Sequence, residues 1–256
     1  MSLHSKKVSP PDGGGVRIVG LIPSRLASTR LPNKALADIA GWPMVRHVWE
    51  RARRVPGMSE VAIATPDEEI VRAAEAFGAR AIRTAITHRS GTDRLAEAAE
   101  NMDLAPDDIV VNIQGDEPLL EPAAIEAVLA PLLLYTSLPM SSLMCPCPEE
   151  DLDNPGCVKV VCACDGTALY FSRARLPYPH NPGPAPVMQH VGLYAYRRYF
   201  LALFASLPPT PLEQTESLEQ LRALEHGYRI GMARVEEAPV GVDTLDDLER
   251  VRRILT

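Results

Sequence analysis

The chain lacks several features that would settle its class at once. No stretch of its 256 residues approaches the roughly 20 consecutive apolar residues of a membrane-spanning helix, so no such span is expected. The segment from Met1 to Gly15 has no apolar core, and it ends in Pro10-Pro11-Asp12-Gly13-Gly14-Gly15. A flexible N-terminus over residues 1–15 and a cytoplasmic location are the expectations. Positive charge is in short supply: 26 Lys and Arg stand against 33 Asp and Glu, a net charge of -7, which speaks against nucleic acid as a partner. No Gly-x4-Gly-Lys-Ser/Thr occurs, which removes the P-loop NTPases. No Gly-x-Gly-x-x-Gly follows the first apolar run, which disfavours a dinucleotide oxidoreductase. The five cysteines include Cys145-x-Cys147 and Cys162-x-Cys164, tighter than ordinary zinc-ligand spacing. They read as small apolar residues in a reducing compartment, with Cys162 and Cys164 on one face of a strand.

What is present is an alternation of strand-like and helix-like runs. Residues 16–22, 61–65, 79–82 and 109–113 are strand-like. Residues 44–55, 68–77, 93–102 and 122–134 carry apolar side chains at helical spacing. Such alternation implies βαβ units and a parallel sheet. After about residue 138 the pattern changes. Residues 158–163 and 168–172 flank Asp165-Gly166, a hairpin signal. Residues 191–196 and 230–235 are strand-like, while 197–207, 217–227 and 244–255 read as helices.

The densest chemistry lies in Ile22-Pro23-Ser24-Arg25-Leu26-Ala27-Ser28-Thr29-Arg30-Leu31-Pro32-Asn33-Lys34, directly after the first strand. Two arginines, a lysine and three hydroxyls on a loop with exposed backbone N–H groups suit a polyphosphate. Asp116 follows the strand at 109–113, where open α/β sheets place ligands, and Gly115 before it permits close approach. A carboxylate there suits Mg²⁺, although an ordinary Asp-Glu turn has the same local pattern. Asp243, taken alone, is a helix cap before residues 244–255. Ser90-Gly91-Thr92, taken alone, is a helix start. His190 and Tyr194 stand at even spacing on one strand-like segment and so share a face.

The first loop resembles the signature loop of the sugar-acid cytidylyltransferases, nearest to those acting on 3-deoxy-manno-octulosonate (KDO). Five later segments agree in order: His88-Arg89-Ser90-Gly91-Thr92-Asp93-Arg94, Val111-Asn112-Ile113-Gln114-Gly115-Asp116-Glu117-Pro118, Tyr170-Phe171-Ser172-Arg173, His190-Val191-Gly192-Leu193-Tyr194 and Gly241-Val242-Asp243-Thr244. The resemblance implies a Rossmann-like mixed α/β sheet of the nucleotide-diphospho-sugar transferase type, with a smaller, partly antiparallel substrate and dimerisation region. Residues 16–256 would form one domain: 16–137 mainly for CTP, 138–240 mainly for the sugar and a homodimer contact, and 241–256 closing the metal site.

Residue by residue, the resemblance puts Arg25 and Lys34 on the CTP phosphates, with Pro23, Ser24 and Arg30 close by. It puts Ser90 and Gly91 around the cytosine and ribose, Gln114 beside the nucleotide, and Asp116 and Asp243 on Mg²⁺. Arg25, Lys34 and Asp116 would be catalytic. Arg173, His190, Tyr194, Glu219 and Gln220 would hold the acceptor, with Lys159 a weaker candidate. The implied reaction is transfer of CMP from CTP to the anomeric hydroxyl of KDO, releasing pyrophosphate, for lipopolysaccharide biosynthesis. The alternatives are another ulosonic acid (8-amino-KDO, sialic or pseudaminic acid) or a nucleotide-binding regulator without turnover. One departure stands out: Thr65-Pro66-Asp67 replaces the usual Thr-Asp, which leaves Asp67 without an assigned role.

Overall fold

The structure is a computed structural model and describes residues 15–27, 31–88, 90–181, 183 and 185–255. Strand β1 (Ile18–Pro23) is apolar on both faces, which drives it to the middle of a layered structure. Ile18 and Ile22 pack into one cluster with helices α1 (Met44–Ala52), α2 (Glu68–Ala76) and α4 (Pro122–Leu134). Val19 and Leu21 pack into a second cluster with α3 (Gly91–Glu100) and α5 (Arg198–Ser206) on the opposite face.

A two-stranded ribbon of β2 (Asp38–Ile39) and β3 (Trp42–Pro43) stands apart from the main sheet, in which β1 pairs in parallel with β4 (Met58–Thr65) and β6 (Ile109–Asn112), and β4 with β5 (Arg80–Arg83). The sheet continues through β10 (Met188–Arg197), β7 (Met140–Pro146) and β11 (Ile230–Arg234), in the order β5-β4-β1-β6-β10-β7-β11. β10 alone in that path runs against its neighbours β6 and β7. A hairpin of β8 (Lys159–Cys162) and β9 (Ala168–Ser172) attaches antiparallel to the start of β10. Asp165 Oδ1 accepts from Thr167 N and Oγ1 inside that turn. This is the mixed Rossmann-like sheet with a smaller antiparallel region that the sequence implies. No helix of the described residues is long and apolar enough to cross a membrane.

Three features depart from the sequence reading. Strand β7 went unread because two of its residues, Ser141 and Ser142, are polar yet fully buried. Their hydroxyls bond to backbone carbonyls, Ser141 Oγ to Val128 O at 2.5 Å, so the apolar pattern breaks while burial is complete. The helix expected over 217–227 is shortened to α7 (Leu221–Glu225), and a separate helix that went unread, α6 (Pro211–Glu216), precedes it and ends at Ser217, at φ 52°. Cys164 lies past the end of β8, exposed, so it does not share a strand face with Cys162.

A small third cluster sets the position of the C-terminal segment. Ile39 and Met44 pack with Val242, Leu248 and Val251, the last two on α8 (Leu245–Leu255). Arg252 Nε and Nη2 donate to the carbonyl of Asp38, fastening the same contact. Val242 N–H donates to the Asp116 carbonyl at 2.8 Å.

The break between α6 and α7 is held by a buried ion pair. Arg222 Nε donates to Glu213 Oε2 at 2.8 Å and Nη2 to Oε1 at 2.5 Å, with both residues under 10% exposed. Glu213 Oε2 also accepts from Thr210 N at 3.1 Å, capping α6. Burial, the largest influence, pushes against ionisation of Glu213, but the Arg222 hydrogen bond, the Thr210 N–H and the Arg222 charge together outweigh it and hold the carboxyl below the ordinary value. Glu213→Ala leaves the Arg222 guanidinium buried without its partner. It is expected to cost about 3 kcal/mol and to lower the melting temperature by several degrees. Because the native carboxyl is the stronger acid, its contribution is present above the unfolded value of 4.5 and fades as pH falls below it. Thermal melts of the two proteins should therefore differ most near neutral pH and converge in acid.

Candidate active site

The carboxyl ends of β1 and β6 open onto a cleft with a volume of about 370 Å³. Its lining includes Pro23, Ser24, Arg25 and Lys34 from the first loop, Ser90 and Gly91 from the start of α3, Gln114 and Asp116 after β6, and Asp243. Arg30 lies outside the described residues. Every other nucleotide or metal candidate named from the sequence lines this one cleft.

At its floor the Lys34 ammonium bonds to Asp116 Oδ2 at 2.6 Å and to Asp243 Oδ1 at 3.2 Å. Two oxygens bound to one nitrogen at those distances lie at most about 6 Å apart, so a closure of about 2 Å or less would bring both onto a single small cation. Asp243 is placed there by the Val242–Asp116 backbone bond and by the packing of Val242 in the third cluster. It is not the cap of α8. That role falls to Thr244, whose Oγ1 accepts from Asp247 N while Asp247 Oδ2 accepts from Thr244 N. The Asp116 and Asp243 side chains are 35% and 48% exposed. Ion pairs that wet contribute only about 0–1 kcal/mol, so Lys34 is readily displaced by a stronger partner.

The rest of the cleft is shaped for close contact with an anion. A Cβ at Gly115 would stand 2.8 Å from Ser24 Oγ and 3.1 Å from the Pro23 carbonyl, so only glycine lets the two loops meet. Ser24 Oγ is buried and has no hydrogen-bond partner among the described residues. Ser90 caps α3, with Ser90 Oγ accepting from Asp93 N and Asp93 Oδ2 accepting from Ser90 N. The positive end of that helix therefore faces the cleft.

Two functional residues escaped the sequence reading. Arg94 is 4% exposed, lines the cleft, and has its acidity raised by burial and then by the charge of Arg25. Two guanidinium groups held near each other call for an anion between them. Asp67 has a role after all: its Oδ2 accepts from Leu26 N at 2.7 Å, so it anchors the first loop. Glu117, beside Asp116, is pushed up to about 7 by burial and then by the Asp116 charge.

A second hollow, of about 560 Å³, shares Ser90 with the first and is lined by Asp93, Leu218, Glu219 and Arg222 among others. Of the acceptor candidates, Glu219 lines it. Glu219 Oε2 accepts from Thr92 Oγ1 at 2.7 Å, tying α7 to α3. Tyr194 is near enough that burial and then the Glu219 charge raise its phenol well above the ordinary value. His190 packs 5.5 Å from Tyr194 and edge-on to Phe171 at 4.9 Å, and burial lowers its imidazole to about 3. Gln220 is 5% exposed, and its Nε2 has no partner among the described residues. These four gather on one side of the sheet.

Arg173 does not join them. Its Nε, Nη1 and Nη2 donate to the carbonyls of Glu216, Pro155 and Ser217, so it fastens the end of β9 to α6; like His190, Tyr194 and Gln220, it lines neither hollow. Lys159 is fully buried, and its ammonium donates to the Asn154 and Cys157 carbonyls at 2.7 Å. In both cases the sequence shows a cation and cannot show the carbonyls that hold it.

Comparison with known proteins gives the family of the chain. A family profile described as Cytidylyltransferase matches residues 19–230. A 3-deoxy-manno-octulosonate cytidylyltransferase from Pseudomonas fluorescens is 51% identical over 246 residues, covering 92% of this chain and 96% of that protein. One from Syntrophus aciditrophicus is 49% identical over 93% of this chain and 97% of its own length. Among solved structures, a CMP:2-keto-3-deoxy-manno-octonic acid synthetase complexed with CTP superposes with a TM-score of 0.89 at 43% identity, covering 93% of this chain and 98% of that one. A 4-diphosphocytidyl-2C-methyl-D-erythritol synthase shares the fold at 13% identity and a TM-score of 0.65. The chain belongs to the 3-deoxy-manno-octulosonate cytidylyltransferase family.

Proposed function

We propose that this protein transfers CMP from CTP to the anomeric hydroxyl of KDO, releasing pyrophosphate, with Mg²⁺ held by Asp116 and Asp243. The observation that carries the reading is the Lys34 ammonium seated between those two carboxylates in a cleft that also holds Arg25 and Arg94. A cation already occupies the place where the carboxylates converge, which is where a divalent ion would bridge protein and phosphate. Among the described residues no cluster of three His, Cys, Asp or Glu exists, so the remaining ligands would be phosphate oxygens and water, as suits Mg²⁺. The ion would neutralise phosphate charge and make a bound hydroxyl more acidic.

The chain's own residues do the positioning. Arg25 and the displaced Lys34 would hold the triphosphate and stabilise charge on the leaving pyrophosphate. Ser24, Ser90 and Gly91 would fix the nucleoside against the start of α3. Glu219, His190, Tyr194 and Gln220 would orient the sugar so that its hydroxyl lies in line with the α-phosphorus. A homodimer, a cytoplasmic location and supply of activated KDO to lipopolysaccharide complete the reading, the first being tested by light scattering. Pyrophosphate release with CTP, Mg²⁺ and a panel of ulosonic acids tests the whole. Fastest turnover with KDO supports it. A preference for 8-amino-KDO, sialic or pseudaminic acid would reassign the acceptor, and no release with any acid would leave a nucleotide-binding regulator.

Lys34→Ala should lower turnover by roughly one to three orders of magnitude, the cost of one lost transition-state charge contact. The same variant, with the Lys34 ammonium removed from between Asp116 and Asp243, should bind Mn²⁺ more tightly than the wild type in the absence of CTP, read by paramagnetic resonance. Asp116→Asn and Asp243→Asn should each abolish most activity while folding remains intact. The double variant should be little worse than the worse single one, since the pair acts as a unit. On the acceptor side, Glu219→Ala and His190→Ala should raise the KM for the sugar and leave CTP affinity by calorimetry nearly unchanged. Loss of CTP affinity with sugar kinetics preserved would overturn the assignment of those residues.

A further inference from the structure

Strand β10 carries a bulge at the residues that the acceptor reading depends on. Along β7, Leu143 pairs with Val191 and the adjacent Ser142 pairs with Tyr194, so Gly192 and Leu193 are extra on the β10 side. Such a bulge breaks the ladder and leaves carbonyls in need of donors. Ser142, fully buried, fills it: its Oγ lies 3.1 Å from the Val191 carbonyl, 3.0 Å from the Leu193 carbonyl and 2.9 Å from His190 Nε2. From the other side, Gln114 Nε2 in the nucleotide cleft donates to the Gly192 carbonyl at 3.1 Å.

Donor counting then fixes the histidine. A hydroxyl has one proton, and carbonyl oxygens only accept. If Ser142 gave its proton to His190, two carbonyls would face a bare hydroxyl oxygen at about hydrogen-bond distance in a buried site. The arrangement that best satisfies these atoms has Ser142 sharing its one proton between the two carbonyls and accepting from a proton on His190 Nε2. The other ring nitrogen, Nδ1, is then unprotonated and an acceptor.

We propose that Ser142 is a positioning residue that holds His190 in its Nε2–H form, so that the ring offers Nδ1 as a hydrogen-bond acceptor for a hydroxyl of the acceptor sugar. This rests on the placement of the acceptor beside His190. His190 then recognises a hydroxyl and does not bind the carboxylate of the sugar acid, since a neutral ring with a bare nitrogen repels an anion. The burial that lowers its acidity range keeps the ring neutral at working pH.

The test pairs nitrogen NMR with a mutant cycle. In ¹⁵N-histidine-labelled wild-type protein, with His190 identified by its absence from His190→Ala, Nε2 should carry the proton and Nδ1 should not, with no titration through neutral pH. A proton on Nδ1, or a ring that titrates near neutrality, overturns the proposal. Ser142→Ala should raise the sugar KM about five- to tenfold, the cost of one hydrogen bond, and leave the CTP KM unchanged. It should add nothing in a His190→Ala background. An equal cost in both backgrounds means that Ser142 serves only the bulge, and the proposal fails. If His190→Ala itself leaves the sugar KM unaltered, the acceptor placement fails and takes the proposal with it, whatever the tautomer. Should Ser142→Ala not fold, the wild-type nitrogen spectrum decides the tautomer, and Ser142→Thr, which keeps the hydroxyl, should keep the wild-type sugar KM.

Discussion

One ammonium group holds the site together. Lys34 reaches carboxylates that are 82 and 209 residues away in the chain, and without a cation between them Asp116 and Asp243 would repel each other across a narrow cleft. The surrounding structure is arranged to make that meeting possible. The first loop is tied down by Asp67 at Leu26 N, Gly115 lets the loop after β6 pass against Ser24, and the third apolar cluster presses Val242 onto the Asp116 carbonyl. Because the ion pairs are wet and weak, the same lysine can leave for a phosphate when a divalent ion takes its place. A site that must exchange one cation for another is better served by contacts of about 1 kcal/mol than by a buried pair.

The acceptor side is built on the opposite principle. There most of the polar groups are buried and have set partners: Glu213 with Arg222, Ser142 with the bulge in β10, and the half-buried Glu219 with the buried Thr92. Burial makes each unmet donor or acceptor costly, so the geometry is rigid. Gln114 and Ser90 connect the two regions, the first through the Gly192 carbonyl and the second by lining both hollows. A displaceable cationic floor beside a stiff polar wall suits a reaction in which a triphosphate must arrive, react and depart while a sugar hydroxyl is held in one orientation.

Much of this was legible in the chain. The alternation of apolar strands and amphipathic helices through residue 134 implied the parallel half of the sheet, because the central strands bury both faces and each helix one. The cationic loop and the Gly-Asp after β6 could be read as chemistry because open α/β sheets place ligands at strand ends. Strand β7 could not be read, since Ser141 and Ser142 are buried polar residues whose hydroxyls are met by backbone carbonyls, of α4 for Ser141 and of the β10 bulge for Ser142. Nor could the break at Ser217, which a left-handed backbone makes without a glycine to mark it. Arg173 and Lys159 looked like substrate cations and proved to be satisfied by carbonyls of loops that no local pattern identifies.

The sequence by itself determined the class of fold, the family and the kinds of group available: cations on one loop, carboxylates after two glycine-bearing turns, and polar residues on the second half. These depend on neighbours a few positions apart, which pattern and resemblance capture. Only the tertiary structure decided which of those groups meet. Asp243 turned out to face Lys34, with Thr244 capping α8, and Arg94 joined Arg25 beside the cleft. Asp67, left without a role by its displacement, anchors the loop. Each of these outcomes is set by a hydrogen bond or a packed contact between segments remote in sequence, and the energy of such a contact exists only once the chain has closed the distance.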